Sequence, residues 1–167
     1  IGDNFKTNRY EWYINNDQDV ATSFTGDAYR IKKNYSGSYL PSLLFGEKDM
    51  PAHRVELAVK HIEGADDHGF GLCFGKRDVN NFLVFLIYPN GYFYVGRVSN
   101  SNWTALKDMT ESDAIRKGNY LPNYLRFVND NGKWDFYIND KLVYSRNASI
   151  MSGKEFGCIV ENKQTVD

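Results

Sequence analysis

The stretch GFGLCFGKRDVNNFLVFLIYPNGYFYVGRV, residues 69–98, decides the fold. It contains three apolar, aromatic-rich segments, which are separated by polar turn signals at residues 76–80 and 89–91. Short β-branched and aromatic segments with Gly, Asn and Asp between them are typical of antiparallel strands joined by hairpin turns. The stretch therefore predicts three consecutive strands of a β-meander.

The rest of the chain repeats this pattern in shorter pieces. In residues 53–61, Val55, Leu57 and Val59 share one face of an extended chain while charged residues occupy the other, which indicates a half-buried strand. The other predicted strands are residues 20–24, 28–33, 39–45, 124–129, 133–139, 142–145 and 156–160. Ten or more short strands predict an all-β fold, a two-sheet antiparallel β-sandwich of the jelly-roll type. Only residues 110–118 favour a helix, with Thr110 as its cap and Gly118 as its stop.

Composition narrows the class of protein. The chain has 167 residues, which suits a single domain spanning residues 1–167. Its net charge of −1 argues against a nucleic-acid partner, and no apolar run has the length of a membrane span, so membrane insertion is not expected. Cys73 and Cys158 each lie in an apolar strand-like run; we expect buried free thiols, with a disulfide between two strands as the alternative.

Several motifs occur in a fixed order along the chain. They are G-x-G-x-x-F-G at 69–75, N-N-F-x-x-F at 80–85, W-x-x-L at 103–106, I-x-x-G at 115–118, N-x-L-R at 123–126 and F-Y-I-N-D at 136–140. This order resembles the concanavalin A-like lectin/glucanase superfamily, in particular its laminin-G-like and family-16-like bacterial modules. The resemblance implies a concanavalin A-like jelly roll, a carbohydrate ligand, and a secreted, periplasmic or cell-surface location. Such domains continue into one more strand, so the resemblance also implies a final C-terminal strand after Asp167.

The carboxylates do not follow the pattern of the superfamily's glucanases. Those enzymes place their acids on one strand as E-x-D-x-x-E, a motif that is absent here. Retaining and inverting glycosidases need two carboxyl groups within about 5–9.5 Å, and no predicted strand supplies such a pair on one face. We therefore expect no catalytic residues. Asp66 and Asp67 are weak candidates for a calcium site, and a polar hairpin tip is the favoured interpretation; no other metal or cofactor is expected.

The hairpin of residues 82–98 supplies the candidate ligand site. A turn at Asn90-Gly91 would set Ile87 opposite Tyr94, and a turn at Pro89-Asn90 would change that register. Both faces of the hairpin are apolar, so either another segment covers the second face or that face forms an aromatic groove. Sugars bind such grooves by stacking on aromatic rings. The predicted ligand-binding residues are Tyr88, Phe93, Arg97 and Trp103, whereas Trp134 is expected in the core.

These observations lead to one functional expectation and two alternatives. The leading expectation is a non-catalytic extracytoplasmic recognition module that binds carbohydrate. The first alternative is a protein-interaction or structural domain of a larger protein, in which a protein partner fills the same groove. The second is a divergent glycoside hydrolase whose carboxylates come from different strands.

Overall fold

The computed structural model describes residues 2–44, 52–148 and 153–167. These residues contain no helix, and therefore none that is long and apolar enough to cross a membrane. They form fifteen strands: β1 Asn15–Asn16, β2 Val20–Phe24, β3 Tyr29–Lys33, β4 Ser38–Tyr39, β5 Ser42–Leu44, β6 Ala52–Gly64, β7 Phe70–Asp78, β8 Asn81–Ile87, β9 Tyr92–Ser99, β10 Asn102–Glu111, β11 Pro122–Asp130, β12 Lys133–Ile138, β13 Lys141–Asn147, β14 Glu155–Glu161 and β15 Gln164–Val166.

The strands form two antiparallel sheets that pack face to face. In the described residues, one sheet has eight strands in the order β1-β2-β3-β15-β6-β11-β12-β13. The other has seven: β10-β9-β8-β7-β14 in order, with β4 and β5 both paired to β14. The prediction of an all-β, two-sheet antiparallel sandwich is confirmed. The predicted strand at residues 39–45 is instead divided into β4 and β5, with Pro41 between them.

Aromatic side chains dominate the core between the sheets. Phe74 of the seven-stranded sheet meets Phe127 of the eight-stranded sheet with ring centroids 4.3 Å apart. Trp134 packs edge-on against Phe127 and is buried, as the sequence predicted. Ring pairs that interlock across the layers add to the stabilisation that comes from burying their area. Other fully buried members of this core are Phe85, Phe93, Phe136, Leu72, Leu125 and Ile138.

The predicted helix at residues 110–118 is wrong. Strand β10 continues through Thr110, which pairs with Phe93, to Glu111, and a turn follows. The Asn123 side chain fixes this turn, because it accepts from the Arg116 N–H at 2.9 Å and donates to the Arg116 carbonyl at 3.1 Å. The amide of Asn123, seven residues further along, thus bonds the Arg116 backbone, and the Asn139 amide donates to the Ala114 carbonyl at 2.7 Å. These side-chain contacts outweigh the local capping signals that favoured a helix.

The two cysteines are free, as expected, and the disulfide alternative is wrong. Cys158 lies opposite Leu72 and Cys73 lies opposite Gly157, so the thiols are close in the sheet. Cys73 packs in a cluster on the outer side of this sheet, whereas Cys158 packs against the core on its inner side. Burial raises the pKa of both thiols to about 12, which keeps them protonated and unreactive at neutral pH.

Candidate functional site

A three-residue turn, 89–91, closes the hairpin of β8 and β9. The Tyr88 N–H donates to the Tyr92 carbonyl and the Gly91 N–H donates to the Tyr88 carbonyl, each at 2.9 Å. Ile87 therefore pairs with Phe93. Both predicted registers assumed a two-residue turn and are wrong. Because side chains alternate along a strand, the extra residue decides which aromatic rings face the core.

The outer face of the seven-stranded sheet carries a second apolar cluster, hereafter the outer cluster. It consists of Cys73, Phe82, Val84, Leu86, Tyr88, Val98 and Ile159. Val84 and Leu86, at its centre, are fully buried, and Leu40, from the segment between β4 and β5, packs against the cluster. The centre of this face is therefore closed, which leaves only its margins available to a ligand.

The structure does not bring the four predicted ligand-binding residues together. Phe93 is 2% exposed in the core between the sheets, whereas Tyr88 belongs to the outer cluster on the other side. Arg97 lies exposed near the end of β9. Trp103, on β10, is 45% exposed and stands at the margin of the outer cluster. Of the four, Trp103 combines a large aromatic surface with access from solvent.

A groove of about 570 Å³ lies beside Trp103; we refer to it as the Trp103 groove. The Trp103 ring forms one wall and packs edge-to-face on Phe82, with centroids 5.9 Å apart and an interplanar angle of 88°. Ser101 supplies a hydroxyl on the same side. The remaining lining residues are Gly37, Ser38, Tyr39, Leu40, Val79 and Val98. The groove therefore combines an aromatic platform, an apolar floor and a few hydroxyl groups.

Two neighbouring turns hold the Trp103 side of the groove. Asn100 and Ser101 both have positive φ, 49° and 65°, in the two-residue connection between β9 and β10. Such a turn matches the twist of the strands that it joins. Asn81, at the start of β8, accepts from the Asn100 N–H at 3.1 Å, and the Ser101 hydroxyl donates to the Asn80 side chain at 2.8 Å. The two turns are thus fastened to each other, and Trp103 follows directly from one of them.

A half-buried carboxylate lies at the Tyr88 end of the outer face. Glu161 accepts from the Gly69 N–H at 3.2 Å and lies 3.4 Å from the Tyr88 hydroxyl. Burial raises the pKa of Glu161. Lys33, nearby, donates to the Tyr35 carbonyl, and burial lowers its pKa to about 8. The charged side chain of Lys33 lies near enough to act on the Glu161 carboxylate, so this end holds a half-buried acid beside a lysine.

The Asp66 and Asp67 pair lies in the connection between β6 and β7. The Asp66 carbonyl accepts from the Asn90 N–H at 3.1 Å, and the exposed Asp67 carboxylate lies 3.7 Å from His68 Nε2. Within the described ranges, no three His, Cys, Asp or Glu side chains are grouped so that they could hold a metal ion. Asp66 thus acts here through its backbone, which joins two hairpin tips.

The Gly37–Leu40 side of the groove was not predicted as part of a site. Its residues are more than sixty positions away from Trp103 in the chain, and they reach the outer face because β4 pairs with β14. A local signal exists in the Ser36-Gly37-Ser38 turn, where Gly37 has a φ of 93°. That signal places a turn, but it does not say which surface the turn meets.

Comparisons with known proteins bear on the fold. No protein-family model and no curated protein sequence matches the chain. The carbohydrate binding module CBM66 from Bacillus subtilis is similar in structure, with a TM-score of 0.68, 14% identity, and coverage of 89% of this chain and 88% of that chain. The Emp46p carbohydrate recognition domain has a TM-score of 0.67 at 11% identity, and covers 99% and 88% of the two chains.

An enzyme is among the similar structures as well. The GH43 protein BlXynB from Bacillus licheniformis has a TM-score of 0.67 at 15% identity and covers 99% of this chain, but the match spans only 37% of that chain. The similarity is therefore confined to a part of the enzyme. At these identities, the comparisons establish that the chain has the jelly-roll fold of carbohydrate-binding modules and lectin-like domains.

Proposed function

We propose that this protein is a non-catalytic carbohydrate-binding module of the concanavalin A-like superfamily and that it binds sugar in the Trp103 groove. The observation that carries the proposal is the exposed Trp103 ring beside apolar walls and the hydroxyls of Ser38 and Ser101. The indole is 45% exposed, so a flat aromatic surface is accessible to a ligand from the groove.

The chemistry of a sugar fits this surface. The C–H face of a pyranose ring is apolar and covers an aromatic ring, while its hydroxyls exchange hydrogen bonds with polar groups at the rim. The groove volume of about 570 Å³ falls in the range of small-molecule sites. The similar structures named as a carbohydrate binding module and a carbohydrate recognition domain support this ligand class.

The same groove supports a role without catalysis. Glycoside hydrolysis uses two carboxyl groups that flank the bond to be cleaved. Among the described residues that line the Trp103 groove there is no Asp or Glu. In the part of the chain that the structure describes, the half-buried Glu161 carboxylate lies beside Lys33 and the Tyr88 hydroxyl. We further propose an extracytoplasmic location, since polysaccharide chains too large to cross a membrane would be met there.

Binding to a panel of soluble polysaccharides tests the proposal. We expect the wild-type protein to be retarded in affinity gels that contain at least one of them, and Trp103→Ala to weaken binding at least ~10-fold, about 1.4 kcal/mol. Tyr120→Ala is the matched control, because Tyr120 is an exposed aromatic residue outside the groove; it should bind like the wild type.

Three results would count against the proposal. Silence across the polysaccharide panel and across a glycan array would favour the protein-interaction alternative. Equal loss of affinity in Trp103→Ala and Tyr120→Ala would show that the Trp103 groove is not the binding site. Release of reducing sugar by the purified protein would establish the glycoside hydrolase alternative instead.

A further inference from the structure

A buried lysine lies behind one wall of the Trp103 groove. This wall is the segment Gly37–Leu40, hereafter the Gly37–Leu40 wall. Lys33, the last residue of β3, is 1% exposed, although lysine side chains are ordinarily left in water. A buried ammonium group costs free energy unless it is well hydrogen-bonded, so its contacts show what it does in the fold.

The Lys33 ammonium joins two turns that are far apart in the sequence. It donates to the Tyr35 carbonyl, in the connection from β3 to β4, and to the Asn162 carbonyl at 3.3 Å, in the turn between β14 and β15. Its Nζ atom also lies 3.6 Å from the centroid of the Tyr35 ring. Hydrogen bonds from a charged donor are stronger than neutral ones, and an aromatic face attracts a cation. The ammonium therefore binds both turns at once.

Asn162 connects the ammonium to the Gly37–Leu40 wall. Its Oδ1 atom accepts from the Gly37 N–H at 3.1 Å, and its own N–H donates to the Gly37 carbonyl at 2.8 Å. The pairing of β4 with β14 involves only Ser38 and Tyr39. So short a ladder opens readily, and the bonds between Gly37 and Asn162 are then needed to hold the wall against β14.

The groups around the ammonium determine its charge. Its neighbours across the sheet, Val20 of β2 and Gln164 of β15, have no titratable side chain. The Glu161 carboxylate of β14 favours the charged form of Lys33. The Tyr35 phenol is the titratable group of the connection to β4, and burial raises its pKa.

The charge of Lys33 changes in mildly alkaline solution. Burial outweighs the attraction of Glu161 and lowers the pKa of Lys33 to about 8. Asp17 and Asp19 raise the pKa of Tyr35 further, so this phenol stays neutral while Lys33 titrates. Above pH 8 the neutral amine keeps N–H donors but loses both the charge in its hydrogen bonds and its attraction to the ring. Because folding lowers the pKa of Lys33, its deprotonation does not weaken the fold as a whole.

We propose that Lys33 is a positioning residue for the Trp103 groove: its buried ammonium, acting through Asn162, holds the Gly37–Leu40 wall in place. This role rests on the proposed binding of sugar in the groove, which Lys33 does not itself line in the described structure. The groove is complete at neutral pH, and its wall loosens when the ammonium is neutralised.

Lys33→Met tests this role, because it keeps a long apolar side chain and removes the ammonium. Lys32→Met is the matched control, since Lys32 is the preceding residue of β3 and is exposed. We expect Lys33→Met alone to speed up amide hydrogen exchange of Gly37 and Asn162 at least ~10-fold relative to Val84. Val84, at the centre of the outer cluster, reports on unfolding of the whole protein.

The pH dependence of the wall gives a second readout, which needs no variant. The NMR resonance of the Gly37 Cα should move with a midpoint near pH 8 in the wild type and in Lys32→Met, and should not move in Lys33→Met. Neither this titration nor the exchange measurement requires a sugar, so both test the wall independently of the ligand.

Binding of polysaccharide links the wall to the groove. In affinity gels at pH 7 that contain a polysaccharide retarding the wild type, Lys33→Met should bind at least ~10-fold more weakly and Lys32→Met should bind normally. Wild-type affinity should fall between pH 7 and pH 9.5, whereas the residual affinity of Lys33→Met should stay constant.

Three results would overturn the role of Lys33. Equal acceleration of exchange at Gly37 and Val84 in Lys33→Met would mean that the lysine supports the whole fold. A Gly37 resonance that shifts equally in the wild type and in Lys33→Met would assign the titration to another group. Normal polysaccharide binding by Lys33→Met would show that the groove does not need this contact. If the exchange and titration results are as expected and no polysaccharide binds the wild type, the proposed ligand is wrong and the hold of Lys33 on the wall stands.

Discussion

The two sheets of this protein differ in what they place on their outer faces. The seven-stranded sheet buries apolar residues there, so that every residue of Asn81–Ile87 in β8 is buried on one side or the other. The eight-stranded sheet instead places charges outward, with Arg126 contacting Asp140 at 2.8 Å and Glu56 at 3.6 Å. The first face stabilises the fold by excluding water, whereas the second keeps the protein hydrated.

The contrast shows how to locate a binding surface in a β-sandwich whose strands do not alternate apolar and polar side chains. A continuous apolar run such as β8 signals a second covered face rather than an open groove. The ligand surface that we propose is then the margin where the cover ends, and the Trp103 groove lies at that margin.

The largest expected effect comes from the centre of the closed face. Leu86→Ala should lower the free energy of unfolding by about 2–5 kcal/mol, because it leaves a cavity in a fully buried cluster. The same change at Leu142, which is 49% exposed on β13, should stay within about 0.5 kcal/mol. Urea denaturation of both variants measures the difference. A cost below about 1 kcal/mol for Leu86→Ala would show that the outer face is open.

An intermediate loss of stability in acid is expected from the ion pairs that Asp167 forms with Arg30 and Lys60. Burial of Asp167 would raise its pKa, but hydrogen bonds from Arg30 and Lys60 outweigh burial and the pKa is lowered. A carboxylate whose pKa is lowered by folding contributes stability that is complete above its ordinary pKa, near 4, and is lost as pH falls through the lower folded value. Asp167→Asn should remove this loss and also cost about 1–2 kcal/mol at pH 7.

Urea unfolding at pH 7 and at several values below pH 4.5 measures this dependence. Leu142→Ala, which changes no charge, is the control and should lose stability in acid as the wild type does. If the free energy of unfolding falls equally with pH in the wild type and in Asp167→Asn, the ion pairs of Asp167 do not cause the loss of stability in acid.

The smallest effect should come from Arg126. Its guanidinium lies over the Tyr137 ring, 4.2 Å from the centroid, and bridges two exposed carboxylates. Because such pairs are screened by water, Arg126→Met should cost only about 0.5–1 kcal/mol, and 1 M NaCl should reduce that cost. A loss of more than about 2 kcal/mol in the free energy of unfolding, unchanged by salt, would contradict this. It would show that Arg126 is shielded from water, as the outer cluster is.

Local patterns in the sequence were sufficient for the strands and insufficient for the site. Residues 20–24 carry their own alternation, so their strand was predicted with the bounds of β2. The break between β4 and β5 at Pro41 was not predicted. Proline has no N–H to donate to a strand ladder, so its position was a local signal of this break. The hairpin register depended on a single extra turn residue, which periodicity does not encode.

The site depended on contacts between distant segments. Trp103 was singled out for its residue type and its place near the hairpin, and it lines the groove. Phe93 was assigned to the same surface but lies in the core, because the three-residue turn sets its side of the sheet. The Gly37–Leu40 wall joins the groove through the β4–β14 pairing, which no local pattern of residues specifies.

The fastening of two hairpin tips beside Trp103 has a thermodynamic consequence. Asn80 and Asn81 bind Ser101 and Asn100 through side-chain hydrogen bonds, so the two tips are linked to each other. An indole mounted on such a base is already ordered before a ligand arrives, and docking then freezes few of the protein's own degrees of freedom. The entropy lost on binding would then be mostly that of the ligand. A stiff oligosaccharide would therefore bind more tightly than a flexible one with the same contacts.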